Sequence, residues 1–299
     1  VLESTIYSLV HLTNGEYSLR SLAHRETFHP VIGPVREAES LYVRQLKLPE
    51  RLENHSGEFV IWDVGLGAAA NALTALRLTR SMSCNVRLVS FDCTLSALEF
   101  ARQNKEKLAY FTGYEQAVDD LLKDGAATFE DGARRVCWQA HIQDFPSLVA
   151  SWSEKGADGN QQSRNGIPAP HAIFWDAYSP AKNPAMWCQP LFLRVRRHLA
   201  EEQPCALATY SRSTQLRTAL LLAGFFVGRG VSTGEKEETT IAATTLDLIE
   251  NPLDERWLER ARNSTSAEPL WEPAYSQKPL EPSTWAKLQA HPQFAIPGK

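Results

Sequence analysis

From residue 59 onward one pattern recurs: a short apolar run without polar alternation, then a segment of helix formers. FVIWDVG (59–65) stops at glycine and is followed by AAANALTALRLT (68–79), whose apolar residues fall three and four apart. VRLVSFD (86–92) ends in an acid and precedes TLSALEFARQNKEKL (94–108). Continuous runs of this kind suit strands buried on both faces of a parallel sheet. RVCWQAHI (135–142), HAIFWDAYS (171–179) and CALATYS (205–211) read as further strands, with the amphipathic AMWCQPLFLRVRRHLA (185–200) between the last two. A helix over STQLRTALLLAGF (213–225), a strand FFVGRG (225–230), a turn holding Gly234 and a closing strand TTIAATTLDLI (239–249) complete the series. Strand–helix alternation with one late hairpin predicts an α/β fold: a mostly parallel, doubly wound sheet with an antiparallel C-terminal hairpin.

Three stretches depart from the pattern. Residues 1–58 hold short strand-like runs and turns, expected as an N-terminal extension that contributes to the site. The polar, Gly- and Asn-rich segment 155–170 is expected to be a mobile surface loop. The tail 251–299, with prolines and Trp257, Trp271 and Trp285, is expected to pack as extended chain on the central 59–250 domain.

Composition excludes more than it selects. With 43% hydrophobic and 22% charged residues the chain is neither disordered nor coiled coil, and its length supports a sizeable core. A formal net charge of −4 gives no bulk attraction to nucleic acid or membrane, so such a partner must meet a local basic patch. The apolar runs are too short and too often broken by charge to span a bilayer. No basic leader precedes an apolar stretch at the start, so a signal peptide is not expected, and Val1 reads as a processing boundary. Cys84, Cys93, Cys137, Cys188 and Cys205 are an odd set with no C-x-x-C pair, which suits buried free thiols in a reducing cytoplasm. His24, His29 and His55 have no metal-ligand spacing, and no metal is expected.

The turn after the first strand, Asp63-Val64-Gly65-Leu66-Gly67-Ala68-Ala69-Ala70-Asn71, lies where doubly wound folds bind ligands, beyond the carboxyl ends of the strands. Glycines there admit a ligand close to the backbone, and the following helix offers free N–H groups. Asp92 ends the second strand, at about the 20-residue interval or a little more that places an acid on ribose hydroxyls. A dinucleotide fingerprint would need glycine where Ala70 stands. The G-x-G turn, the acid and the late hairpin together suit S-adenosylmethionine better.

The most distinctive stretch follows the fourth strand: Asp176-Ala177-Tyr178-Ser179-Pro180-Ala181-Lys182-Asn183-Pro184-Ala185-Met186-Trp187. Methylating an amine needs a neutral nitrogen, and an alkylamine of pKa near ~10 is only roughly 0.1% neutral at pH 7. A carboxylate at Asp176 can hold the amine and take its proton, while the rigid Ser179-Pro180 turn and Tyr178 align it. Asp176 as base and Asp176 as anchor both stand, as does a plain structured turn with Asp176 as helix cap.

This stretch resembles the signature of the MnmC-like methyltransferase family, which modifies the wobble uridine of certain tRNAs. Asp63, Gly65, Gly67 and Asn71 resemble the family's acid-x-G-x-G turn and its asparagine. Phe28-His29, Gly33, Glu37 and Tyr42 resemble its H-x-x-x-G-x-x-x-E stretch, and Gly234-Glu235-Lys236 with Thr239-Thr240-Ile241-Ala242 its closing hairpin. The match runs in consistent order over roughly residues 5–250. It implies a Rossmann-like class I S-adenosylmethionine-dependent fold and methyl transfer to the 5-aminomethyl group of a wobble uridine. Asp176 would be catalytic. Asp63, Gly65, Gly67, Asn71, Asp92, Asp144 and Glu37 would hold the cofactor. His29, Tyr178, Ser179, Pro180, Lys182, Asn183 and Trp187 would hold the substrate. No second Gly-rich strand–turn–helix unit is visible, so a form without a flavin (FAD) oxidase domain is expected, dependent on a separate enzyme that makes the aminomethyl group.

The chain departs from the family pattern at three places. Ala69 stands for the third turn glycine, and Glu237 for a basic hairpin position. The expected Gly-Asp after the third strand is missing, so Gln139-Ala140-His141 or Gln143-Asp144 must face the adenine. For tRNA phosphates the basic candidates are Arg194, Arg196, Arg197 and His198 on one helix, with Arg212, Arg217, Arg229 and Lys236 following. Arg194, Arg197 and His198 share one face by spacing. Tyr178 and Trp187 are either base-stacking rings or core aromatics. The competing functions are a small-molecule amine methyltransferase or aminopropyltransferase of the same fold, and a non-catalytic nucleoside- or RNA-binding member.

Overall fold

The computed structural model describes residues 6–152, 166–234 and 237–295. Most of the segment 155–170, and Glu235 and Lys236 of the hairpin turn, lie outside the described residues.

An N-terminal antiparallel sheet is formed by β1 (Tyr7–His11), β2 (Tyr17–Ser21) and the two-residue β3 (Glu26–Thr27). A short helix Pro34–Ala38 then runs into a π-helical turn Glu39–Arg44 and a helix Leu48–Glu53. The main sheet has eight strands: β4 (Glu58–Val64), β5 (Asn85–Asp92), β6 (Ala126–Asp131), β7 (Arg134–Ile142), β8 (Ala172–Trp175), β9 (Ala206–Thr209), β10 (Phe226–Gly230) and β11 (Thr239–Ala243). Their spatial order is β10-β11-β9-β8-β4-β5-β7-β6. The pairs β4–β5, β5–β7, β4–β8 and β8–β9 are parallel. β10–β11, β11–β9 and β6–β7 are antiparallel.

The continuous apolar strands are buried on both faces, as their composition predicts. On β4, Phe59 and Ile61 enter one core cluster while Val60, Trp62 and Val64 enter the other. β8 divides in the same way, Ala172 and Phe174 against Ile173 and Trp175. The helices between strands complete the two layers. Thr214–Leu222 starts where the Ser213 hydroxyl accepts a hydrogen bond from the Leu216 N–H, and Asp144 caps Phe145–Ala150 through Ser147 N–H.

Two expectations need correction. The strand β6 was not foreseen: its sequence AATFED alternates weakly because it is a half-exposed edge strand, paired only to β7. The tail is not extended chain. It forms helices Glu255–Arg262, Pro282–Gln289 and Pro292–Ala295. Pro282 and Pro292 take first-turn positions, where the missing N–H costs nothing, instead of breaking the helices. All five cysteines are free; Cys84, Cys188 and Cys205 are buried and Cys93 is exposed. Among the described residues no helix is long and apolar enough to cross a membrane.

Candidate active site

The order in which the strands are connected reverses at the parallel pair β4 and β8, and beyond their carboxyl ends lies a cavity of about 690 Å³. That volume lies inside the range of about 300–1,000 Å³ usual for small-molecule sites. Gly65 and Gly67 from the β4 turn, Asn71 from the next helix, Asp92 after β5, Asp144 after β7 and Asp176 after β8 all line it. So do Glu37 and His29 from the N-terminal extension and Tyr178, Ser179 and Asn183 from the loop after β8.

The β4 turn cannot be built from ordinary residues. Gly65 has φ +96°, and a Cβ on it would stand 2.5 Å from the Asp176 carbonyl oxygen. Gly67 has φ +50°, and its Cβ would press on the Phe28 ring at 3.2 Å. Ala69, where the family resemblance expects glycine, has a left-handed conformation (φ +60°). Asp92 fixes this turn: its Oδ2 accepts the Gly67 N–H at 2.9 Å and its Oδ1 the Cys93 N–H at 2.7 Å. Burial raises the Asp92 pKa, and those N–H donors oppose the rise.

On the other side of the cavity three ionisable groups meet. His29, at φ +46°, places Nδ1 3.7 Å from Glu37 Oε1 and Nε2 3.8 Å from Asp176 Oδ2. Asn71 Nδ2 donates to Asp176 Oδ2 at 2.7 Å. Burial raises the Asp176 pKa; the His29 charge and the Asn71 amide pull it back, and the Glu37 charge adds to the rise. Burial alone would lower the His29 pKa, but the Glu37 and Asp176 carboxylates hold it above the ordinary histidine value. Tyr42, delivered by the π-helical turn, is fully buried and its hydroxyl is kept protonated by burial and by the Asp176, Glu37 and Asp63 carboxylates. Such turns recur at functional sites.

The loop after β8 is anchored at both ends. Ser179 donates through its N–H to Glu26 Oε2 at 3.2 Å and through its hydroxyl to Glu26 Oε1. Trp187 Nε1 donates to the Tyr178 carbonyl at 2.7 Å, and the Lys182 and Asn183 N–H groups close on the Ser179 carbonyl. Tyr178 is half-buried against the Phe28 ring and stacked on His24, with centroids 4.1 Å apart.

Several predicted site residues fall elsewhere. Asp63 is fully buried and not in the cavity wall, and its Oδ2 accepts from Ser90 Oγ at 2.9 Å. Pro180, Lys182 and Trp187 also lie outside the lining, and Trp187 is a core aromatic. Arg217 is fully buried, its guanidinium donating to Glu238, Thr240 Oγ1 and the Thr239 carbonyl, and cannot face RNA. His198 is likewise buried, packed on Trp152, and is not on the exposed face of Arg194 and Arg197. Of the two stretches left open after the third strand, Gln143-Asp144 reaches the cavity wall. Among the described residues no group of three or more His, Cys, Asp or Glu side chains could hold a metal.

The sequence reading missed Tyr210, Glu26, Arg20, His24 and Arg25, which line the same cavity. Tyr210 follows directly on β9, so the carboxyl-end rule already pointed to it. The others depend on how the small sheet docks, and no local pattern carries that.

The switch-point sheet, the Gly65–Gly67 turn and the acid at the end of β5 form the α/β, Rossmann-like arrangement of class I S-adenosylmethionine-dependent methyltransferases. A family model described as S-adenosyl-L-methionine-dependent methyltransferase matches residues 162–245. The chain is similar to MnmC proteins. It is 25% identical over 212 residues to the tRNA 5-methylaminomethyl-2-thiouridine biosynthesis bifunctional protein MnmC of Paraburkholderia xenovorans, covering 67% of this chain and 29% of that protein. The protein of the same description from Methylibium petroleiphilum is 26% identical over 255 residues, covering 82% and 35%. The chain thus spans about a third of the length of the curated relatives it matches. In fold it is similar to the crystal structure of MNMC2 from Aquifex aeolicus, with a TM-score of 0.65 at 20% identity over 98% of this chain and 86% of that one.

Proposed function

We propose that this chain methylates the primary amine of a 5-aminomethyl group on a tRNA wobble uridine, with S-adenosylmethionine as donor. The observation that carries the reading is Asp176, held by Asn71 and facing His29 in a cavity at the sheet's switch point. The printed description of the relatives supports the substrate.

The walls suit the cofactor: a glycine turn bare of side chains, carboxylates at Asp92 and Asp144 for hydroxyl and amino edges, and the buried Asn71 Oδ1 with no hydrogen-bond partner among the described residues. Gly65, Gly67, Asn71, Asp92, Asp144 and Glu37 would hold it. Bound there, it supplies an electrophilic methyl group.

The chain's own groups prepare the amine. An alkylammonium has no lone pair, and the Asp176 carboxylate both attracts it and accepts its proton. The elevated pKa of Asp176 makes it a better acceptor than an ordinary carboxylate. Protonated His29, between Asp176 and Glu37, balances the charge of the two acids. Tyr178 offers a ring face to the base, and the Ser179–Glu26 contact fixes the loop that carries it. This reading divides the chain into an extension 1–58 that completes the site, a cofactor-binding unit 59–250 and a tail 251–299. It also implies a cytoplasmic setting and a separate enzyme that makes the aminomethyl group.

The test is incubation with labelled S-adenosylmethionine and tRNA carrying 5-aminomethyluridine, followed by digestion and nucleoside mass analysis. One added methyl group on that nucleoside, abolished by Asp176→Ala, is the expected result. Absence of the gain with cofactor bound overturns the tRNA reading and leaves free small amines to be tried.

A further inference from the structure

We propose that the turn between β2 and β3, residues 22–25, is the grip on the RNA backbone beside the target nucleotide. This rests on the tRNA reading above.

Of the cations first expected to meet RNA, Lys236 is outside the described residues, and Arg194, Arg196, Arg197, Arg212, Arg217 and Arg229 do not stand at the cavity. Arg217 is buried, Arg194 donates to the Ala150 carbonyl and Arg196 to the Gly224 carbonyl, and none of Arg194, Arg197 and Arg212 is in the lining. By contrast Arg20, His24 and Arg25 line the cavity directly, and His24 and Arg25 are exposed, which puts them on its rim.

The turn is built, not slack. Its Leu22 N–H donates to the Ile6 carbonyl at 2.9 Å, His24 N–H donates to Ser21 Oγ, and Arg25 holds a left-handed φ of +57°. Glu26, next in sequence, binds both Ser179 donors, so the turn and the loop after Asp176 move as one piece. Glu26 is thereby engaged. The other acids of the cavity, Asp92, Asp144, Glu37 and Asp176, come from the β5, β7 and β8 ends and the 34–38 helix.

Each group has a matching partner in RNA. The Arg25 guanidinium presents a donor fork to a phosphate, with Arg20 behind it, tied to Thr27 Oγ1 at 3.1 Å. His24 stacked on Tyr178 extends an aromatic shelf from the rim to the interior, the surface on which an unstacked base lies. Leu22 is 47% exposed at the same turn, an aliphatic side chain available to fill the gap an extruded base leaves. A phosphate bound at Arg25 therefore sets the distance from the RNA backbone to Asp176 through one rigid link.

The experiment measures tRNA affinity of the full chain against salt concentration, with cofactor affinity followed by calorimetry. Arg25→Gln is expected to weaken tRNA binding about tenfold and to flatten the log–log salt slope by about 1. Arg25→Lys is expected to keep the slope. His24→Ala is expected to weaken binding several-fold without changing it. Cofactor affinity stays at the parent value in all three and reports that they fold. Arg135→Gln, which removes the same charge from the far edge of the sheet, is expected to change nothing. If Arg25→Gln and His24→Ala bind tRNA as the parent does, or if only Arg194→Gln and Arg197→Gln lose affinity, the turn is not the grip while the tRNA reading stands. If the parent chain neither binds nor methylates tRNA, the reading itself fails and this inference with it.

Discussion

His29 sits in a backbone conformation that an L-residue with a bulky side chain avoids, with its ring between two carboxylates. Strain of this kind costs about 1–3 kcal/mol and persists where the surroundings overdetermine it. Replacing Asp176 by Asn keeps the shape and removes the proton acceptor. We expect methyl transfer to fall by about 10²- to 10⁴-fold with cofactor affinity retained, as read by turnover and calorimetry on the same preparation. Asp63 serves stability instead. Burial pushes its pKa up to about 7, with the Ser90 hydroxyl opposing. The folded chain therefore holds a proton that the unfolded chain, with a carboxylate pKa of about 3.9, has already released. Stability from this site is complete below about pH 4 and is lost as pH rises through about 7, a tilt on the order of a few kcal/mol. Asp63→Asn removes the tilt, so its melting temperature should fall less than the parent's between about pH 5 and pH 8. Equal falls in both would dismiss Asp63 as the cause.

At the scale of elements, β4 and β8 meet so closely that Gly65 touches the Asp176 carbonyl. Gly65→Ala must both strain a φ of +96° and push the β8 end outward. We expect a loss of about 1–3 kcal/mol from the backbone term alone, measured by urea unfolding, together with loss of cofactor binding. These strands were legible because burial on both faces leaves an unbroken apolar run with a glycine or acid at its end. Edge strand β6 was not, since one exposed side dilutes the pattern. The tail misled because its prolines read as breakers, although in Pro282–Gln289 the proline starts the helix. That helix is tied down by one buried carboxylate: Glu268 accepts from Trp271 Nε1, Thr284 Oγ1 and the Glu281 N–H. Glu268→Ala strands those donors, at about 1–3 kcal/mol for each that stays buried. Amide exchange should quicken across 282–290 while β9 keeps its protection.

Across the whole molecule, the cofactor side of the cavity could be read from spacing along the chain, because the carboxyl ends of parallel strands are brought together by topology alone. The acceptor side could not. It is closed by Glu37, His29 and the β2–β3 turn, which reach the sheet from residues more than a hundred positions away from Asp176. Only the resemblance pointed to His29 and Glu37, and nothing in the sequence pointed to Glu26 or Arg25. The tail has its own place at this scale. Gln293 accepts the Val227 N–H through Oε1 and donates through Nε2 to the Val227 and Leu253 carbonyls, and the Leu253 and Arg229 N–H groups bond across to the Val227 and Asn251 carbonyls. The outer rim of β10, the last strand of the sheet, is thus sealed by the chain itself. Cut after residue 250, the molecule would keep its cavity but present an open row of donors and acceptors, which a second copy could extend. Such a truncated form should elute as dimers and larger species in size-exclusion chromatography; a clean monomer would show that the seal is dispensable. The tail thus closes one edge of the sheet: without it the β10 rim becomes a template for another molecule.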